Sequence, residues 1–241
     1  MKVAEKVEGK INRMKAGTTF KYRQLNISPG EYTAAAKAIE RLIERKVIKR
    51  VSTGVFYKPK NTVFGELKPR EEELIKPYLF EQNKRIAYVT GLSLYNRMGL
   101  SSQVPGTVKV ASRVKRIRAK IGDIEIKPVK SYIDVTNDNY YLLEILDVLK
   151  DFKIIPDLDK RMLVNVLVNK IRKLNKGDLS RMMKFALRYP PRTRALLGAL
   201  INIAEPKADM NILLKSMNPL TQYNLGISDN ILPTVKQWNI R

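Results

Sequence analysis

The 241-residue sequence predicts an α+β fold. Three observations carry that prediction. The N-terminal part alternates short amphipathic stripes with short apolar runs. The middle holds period-2 alternation, clearest in Ile124-Glu125-Ile126-Lys127. The C-terminal part carries a series of stripes at i, i+3, i+4 spacing. With 44 % apolar residues, the chain has enough material for a buried core.

The elements follow in order. Ala4 to Met14 reads as a helix, with Val3, Val7, Ile11 and Met14 on one face, and Gly17-Thr18 ends it. Phe20 to Leu25 is a brief strand followed by a helix of one or two turns. Ser28-Pro29-Gly30-Glu31 has the pattern of a capping box, with Pro29 at the first helical position. The helix it opens runs over about 29–46. Its apolar stripe is Ala35, Ala38, Ile39, Leu42 and Ile43. Ile48–Val51 and Val55–Tyr57 read as two strands around the tight turn Ser52-Thr53-Gly54.

Helix, short helix, capped helix and two-stranded ribbon is the order of a winged helix-turn-helix, assigned here to residues 1–62. Its recognition helix, 29–46, would enter the major groove N-terminus first, with the wing at 48–57. Tyr32, Thr33, Ala36 and Lys37 would then lie nearest the bases, with Arg41 further along. Lys21, Tyr22 and Arg23 would sit near phosphate, and Lys49, Arg50 and Thr53 would be wing contacts. A winged helix also serves as a protein-interaction module, and exposed Lys and Arg are often just a solvated face.

A second, α+β domain is expected over 65–241, after a linker at Gly65 to Arg70. Glu71 to Phe80 is helical and either bent or stopped at Pro77. Thr90 caps a helix reaching Met98, and Gly99 to Gly106 is a turn. Thr107–Ala111, Lys115–Ala119 and Ile124–Val129 form a small antiparallel sheet over about 106–130, with a hairpin at Gly122-Asp123. A C-terminal helical bundle occupies about 138–204. Its four stripes include Leu142/Leu146/Leu149, Leu163/Leu167/Ile171, Leu179/Met182/Met183 and Leu196/Leu197/Leu200. A tail with the single Trp, Trp238, covers 205–241 and is expected to dock on the domain or on a partner.

Composition excludes several chemistries. There is no Cys and no His, so thiol catalysis, disulfides, Ser-His-Asp triads and Cys- or His-ligated metals are out. Neither a cofactor nor a metal is expected. The N-terminus MKVAEKVEGK is charged throughout, unlike a secretory signal, and the longest apolar stretch is too short to span a bilayer. A cytoplasmic protein with no membrane partner is the expectation.

The net charge is +23, with +10 of it in residues 1–64. Such a field favours polyanions, and double-stranded DNA is the leading partner. A second basic run extends from Lys109 to Lys130. Arg181, Arg188, Arg192 and Arg194 cluster around the last two helices, where they either hold an anion or pair with Asp178 and Glu205.

One catalytic alternative arises. Asp123, Glu125 and Lys127 share one face of a regular strand, as two metal-holding carboxylates and a lysine would in a Mg²⁺-dependent nuclease. An ordinary hairpin's polar face has the same pattern, so the protein is read as no enzyme. No G-x-x-x-x-G-K phosphate loop supports a kinase- or transferase-like domain.

Three runs, in order, resemble a known family. They are Arg41 to Arg50 leading into Gly54-Val55-Phe56-Tyr57-Lys58-Pro59, then Gly99-Leu100-Ser101-Ser102-Gln103-Val104-Pro105, then Tyr189-Pro190-Pro191-Arg192-Thr193-Arg194-Ala195-Leu196-Leu197-Gly198-Ala199-Leu200. The chain resembles the AbiEi-like antitoxins, transcriptional regulators of bacterial type IV toxin–antitoxin systems linked to abortive phage infection. The resemblance spans roughly residues 5–204. It implies a winged helix that binds operator DNA upstream of its own gene and represses it. It also implies a C-terminal domain that neutralises a nucleotidyltransferase-like toxin. The contacts it implies are Tyr32, Thr33, Lys37, Lys49, Arg50 and Thr53. The operator sequence does not transfer, because recognition helices differ between members.

Overall fold

Val3–Arg13 forms helix α1, whose stripe buries Val7 and Ile11 completely. At its C-terminal end the Met14 N–H returns to the Ile11 carbonyl at 3.1 Å, and a single side chain gathers the carbonyls there. The Lys58 ammonium donates to the carbonyls of Ile11, Asn12 and Met14 at 2.8–2.9 Å. The computed structural model describes residues 2–63, 65–67 and 69–241.

Strand β1 is Thr19–Lys21, and a 3₁₀ turn over Tyr22–Leu25 follows, as the sequence suggests. The expected single helix over 29–46 is instead a 3₁₀ turn, Pro29–Glu31, leading into helix α2 at Tyr32–Glu44. The helix stops because Lys46 turns left-handed at φ +58°. Val47 N–H then reaches the Leu42 carbonyl at 2.9 Å, and Lys46 N–H reaches that of Ile43 at 2.9 Å. This Schellman closure has a lysine at the position where glycine is usual.

Strands β2, Lys49–Ser52, and β3, Val55–Tyr57, pair antiparallel, and β1 adds to the other side of β3. Gly54 at φ +72° makes the turn between them. Phe20 and Phe56 meet at 5.6 Å between ring centres. With Leu25, Ile39, Leu42 and Ile48 they form the centre of a small core under α1 and α2.

The expected linker, Gly65 to Arg70, opens with the second strand of a hairpin. Strands β4, Lys60–Thr62, and β5, Gly65–Leu67, pair antiparallel. They carry no alternation of apolar residues, which is why the sequence reads as connection. Tyr57 Oη donates to the Leu67 carbonyl at 2.8 Å, and Lys49 pairs with Glu66 at 2.7 Å. Lys68, part of the same expected linker, lies outside the described residues.

Helix α3, Glu71–Leu79, continues past Pro77 rather than stopping there. Proline has no N–H for the carbonyl four residues back, that of Glu73. The buried Thr19 hydroxyl donates to that carbonyl instead. Strands β6, Phe80–Glu81, and β7, Lys84–Arg85, form a tight hairpin, with Gln82 and Asn83 both left-handed.

Strand β8 is Ala87–Thr90 and helix α4 is Leu92–Arg97. Thr90 is therefore not the helix cap expected of it. Gly91 takes that position, and the Thr90 hydroxyl turns into the core. After α4, Gly99 at φ +73° and the Leu100 N–H bond to the Tyr95 carbonyl, 2.8 Å, close the helix. Strands β9, Val108–Ser112, β10, Ala119–Ile121, and β11, Ile124–Lys130, follow. The strand expected at Lys115–Ala119 lies further on. Arg113 to Arg118 is irregular and solvated, having only Ile117 to bury. β10 and β11 pair antiparallel, Ala119 opposite Ile126.

The C-terminal stripes form helices α5, Tyr140–Lys150, α6, Lys160–Arg172, α7, Lys176–Ala186, and α8, Pro191–Ala204. Asp159 caps α6 and Asn175 caps α7 through their side-chain oxygens. The one-turn helix α9 is Asn211–Leu214. The tail docks on the domain itself. Trp238 is buried, its indole N–H donates to Asn202 Oδ1 at 2.9 Å, and its ring lies against Gly198 of α8. A side chain at Gly198 would collide with that ring.

The result is a mixed α+β chain, with nine α-helices and small antiparallel sheets among the described residues. It divides into two compact units, Met1–Ala87 with Ile117–Ile126, and Tyr88–Arg116 with Lys127–Arg241.

Candidate nucleic-acid interface

Helix α2 is held by a stripe of Ala35, Ala38, Ile39 and Leu42, all buried. Helical geometry then turns the opposite face outward. Thr33, Lys37 and Arg41 are exposed away from that stripe, and Tyr32, in register with the stripe at the first position of the helix, also keeps 42 % of its surface. Ala36 is half-buried beside them. The side chains of Lys37 and Arg41 have no ion-pair partner among the described residues. Glu40 and Glu44 share the exposed surface further from the helix start.

The N-terminal end of α2 is held in place by polar contacts. The Glu31 carboxylate accepts the Ser28 N–H at 3.2 Å and lies 3.5 Å from the Lys6 ammonium. The Ser28 hydrogen bond, more than Lys6, holds the Glu31 carboxyl below the usual carboxylate range. On the ribbon, Arg50 and Thr53 are exposed, and the Arg50 guanidinium lies 6.0 Å from the Phe56 ring centre.

The other expected contacts have structural duties. The Lys21 ammonium sits 3.4 Å from the Tyr78 ring centre. Tyr22 meets Phe56 edge-on at 5.0 Å, and burial raises its hydroxyl pKa. Arg23 pairs with Glu81 at 2.9 Å yet keeps 71 % of its side-chain surface. Lys49 is the partner of Glu66. The ten residues thus divide. Tyr32, Thr33, Lys37, Arg41, Arg50 and Thr53 are exposed; Arg23 and Lys49 are exposed too but hold ion pairs, and Lys21 and Tyr22 are half-buried against aromatic rings.

Asp123 does not join Glu125 and Lys127 on a strand face. It occupies the β10–β11 turn with Gly122, outside the regular alternation. Among the described residues, no group of three acidic side chains is placed to hold a metal ion. In the arginine cluster, Arg181 pairs with Asp178, and Arg194 donates to the Ser216 carbonyl at 2.9 Å.

One polar cluster escaped the sequence reading. Asp147 is 2 % exposed in the middle of α5. It accepts from Tyr88 Oη at 2.9 Å, Thr90 Oγ1 at 2.7 Å, Tyr189 Oη at 3.3 Å and Lys150 Nζ at 3.2 Å. Burial, then the Asp147 charge, pushes the Tyr88 and Tyr189 hydroxyls far above the usual tyrosine range. One turn on either side, Glu144 takes Arg97 at 2.7 Å and Asp151 takes Tyr95 Oη at 2.7 Å. The signal was present as three acids at i, i+3, i+7 in an otherwise leucine-rich helix. The partners come from distant segments and could not be read.

Fold and surface thus define a mixed α+β protein with exposed polar and charged side chains along helix α2. Residues 6–152 match the model of a family of unknown function, DUF6088, and the chain belongs to that family. No curated protein matches it. The crystal structure of RV2827C protein from Mycobacterium tuberculosis is similar in fold, with a TM-score of 0.53 over 92 % of this chain and 85 % of that one. The two are 11 % identical, so the likeness concerns the fold alone. Among the described residues, no helix is long and apolar enough to cross a membrane.

Proposed function

We propose that residues 1–62 act as a winged helix-turn-helix that binds operator DNA, and that the protein is an autorepressor and antitoxin of the AbiEi-like kind. The observation that carries the DNA reading is the face of α2. Tyr32, Thr33 and Lys37 stand exposed on the first turns of a helix whose start is fixed by Ser28 and Glu31. Major-groove readers place side chains of this kind at that end of a helix. Arg50 and Thr53, on the ribbon after α2, supply the wing contacts. The net charge of +23 supplies the long-range attraction. The antitoxin half of the proposal rests on the three sequence runs, and its partner is a nucleotidyltransferase-like toxin.

The test is a binding titration of the whole protein on DNA from upstream of its own gene, against scrambled DNA, over a range of salt. Selective binding is expected, with a log–log salt slope of about −0.9 per phosphate contacted. Lys37→Glu and Arg50→Glu are each expected to weaken operator binding by about 1–3 kcal/mol. Wild-type binding by both variants overturns the placement of the recognition helix. Equal, salt-labile binding to both DNAs leaves only the net charge at work and makes the winged helix a protein-interaction module. For the antitoxin half, co-expression is expected to relieve the toxicity of a neighbouring nucleotidyltransferase gene. Unrelieved toxicity removes that half.

A further inference from the structure

The C-terminal unit contains a cavity of about 520 Å³ between α7 and residues 205–212. That lies within the range of small-molecule sites, about 300–1,000 Å³. Its origin is a short helix covering a longer one. Chain reversal after α8 brings α9 against α7, but α9 has one turn and α7 has three. Leu179 and Met183, themselves largely buried in the core, form the floor of a hollow walled by Ala208 and Ile212.

The rim is polar and unequal in charge. Lys176 and Lys184 stand at the two ends of the α7 wall, and Lys207 stands on the opposite wall. All three are exposed, and none has an ion-pair partner among the described residues. Glu205 and Asp209 offset two of the three, and Asp209 Oδ1 is already engaged by the Asn211 N–H at 3.0 Å. One positive charge is left over above an apolar floor. The wall from Lys176 to Lys184 is about 12 Å long at ~1.5 Å per residue. That is the length of a medium alkyl chain, whereas a partner helix would need a groove several turns long.

We infer that this cavity binds a small amphiphilic anion, its apolar body on Leu179, Met183, Ala208 and Ile212 and its acidic head among Lys176, Lys184 and Lys207. The inference does not depend on the DNA-binding proposal, since every residue lies in the C-terminal unit.

Calorimetric titration of the full chain with decanoate, below its micelle concentration, tests it. Decyltrimethylammonium, with the same tail and the opposite charge, is the control. Saturable one-to-one binding of decanoate is expected, with binding of the cation at least tenfold weaker. Lys184→Glu with Lys207→Glu is expected to lower decanoate affinity more than tenfold. Ala208→Trp fills the hollow and is expected to abolish binding. Ile212→Glu does the same from a position that is already 36 % exposed, should the tryptophan variant fail to fold. Equal binding of both amphiphiles, decanoate uptake without a one-to-one step, no saturable uptake, or wild-type affinity in the folded cavity variants overturns the inference. Operator binding by Ile212→Glu is expected to equal that of the wild type, which keeps the two readings separable.

Discussion

The two units handle charge in opposite ways. In the N-terminal unit the elements are short and the core is small, centred on Phe20, Phe56 and the α2 stripe. Its cations lie outside that core, and several do local work from the surface. Lys58 closes α1, Lys49 ties down the β4–β5 hairpin, and Arg45 reaches Glu8 at 3.0 Å. In the C-terminal unit, helices α5 and α8 run through a much larger core. There an acid sits at the centre and is answered by four donors. A small core has no room to surround a charge with donors, so it keeps charge at its boundary. A large core can bury a carboxylate provided that every lone pair finds a partner. The first arrangement leaves cations available to a polyanion, and the second fixes how strands and helices meet.

Substitutions can break this comparison, beginning with the largest effect. Asp147→Ala removes the common acceptor of two tyrosines, a threonine and a lysine. A loss of about 3–5 kcal/mol is expected, with the faster amide exchange confined to the C-terminal unit. A loss below 1 kcal/mol would mean that the network is peripheral to stability. Gly198→Ala should follow. Helix propensity alone favours alanine by ~1 kcal/mol, but the new methyl meets the Trp238 ring. Net destabilisation of about 1–3 kcal/mol is expected in thermal denaturation, and a more stable variant would show that the tail is loosely docked.

The N-terminal unit should respond more mildly. Thr19→Val leaves the Glu73 carbonyl, freed by Pro77, without its donor. A cost of about 1–3 kcal/mol is expected in chemical denaturation, and it should shrink when Pro77→Ala restores the helical N–H. Lack of coupling between the two would refute the link between them. The smallest effect is a gain. Lys46→Gly relieves a left-handed lysine and should stabilise the unit by about 1 kcal/mol, with operator affinity unchanged. A loss of stability would show that the lysine side chain makes up for its backbone.

Most long elements were legible because their stripes are strong. Helix α1 lies within a residue or so of its expected bounds, helices α5, α6, α7 and α8 each carry one of the four expected stripes, and the β10–β11 turn falls at Gly122-Asp123. The missed short hairpin strands share one cause. β4, β5, β6 and β7 have two or three residues each, too few for a period to show. The helix expected to stop or bend at Pro77 survives because a threonine fifty-eight residues earlier replaces a missing N–H. Thr90 has the chemistry of a cap, and only the fold reveals that Asp147 is closer to hand. At the candidate interface, the sequence could place Lys37 and Arg41 on the outer face of a helix from the buried stripe alone. It could not tell that Lys21 would rest on Tyr78 or Lys49 on Glu66.

Local information therefore determined the composition-level exclusions, the positive field and which face of each long helix would be apolar, since these depend only on residue type and helical or strand period. Tertiary structure alone decided the Asp147 network, the rescue of the Glu73 carbonyl, the docking of Trp238 on Gly198 and the hollow beside α7. Each depends on groups far apart in the chain meeting at hydrogen-bond or van der Waals distance, and no periodicity along a sequence encodes such a meeting.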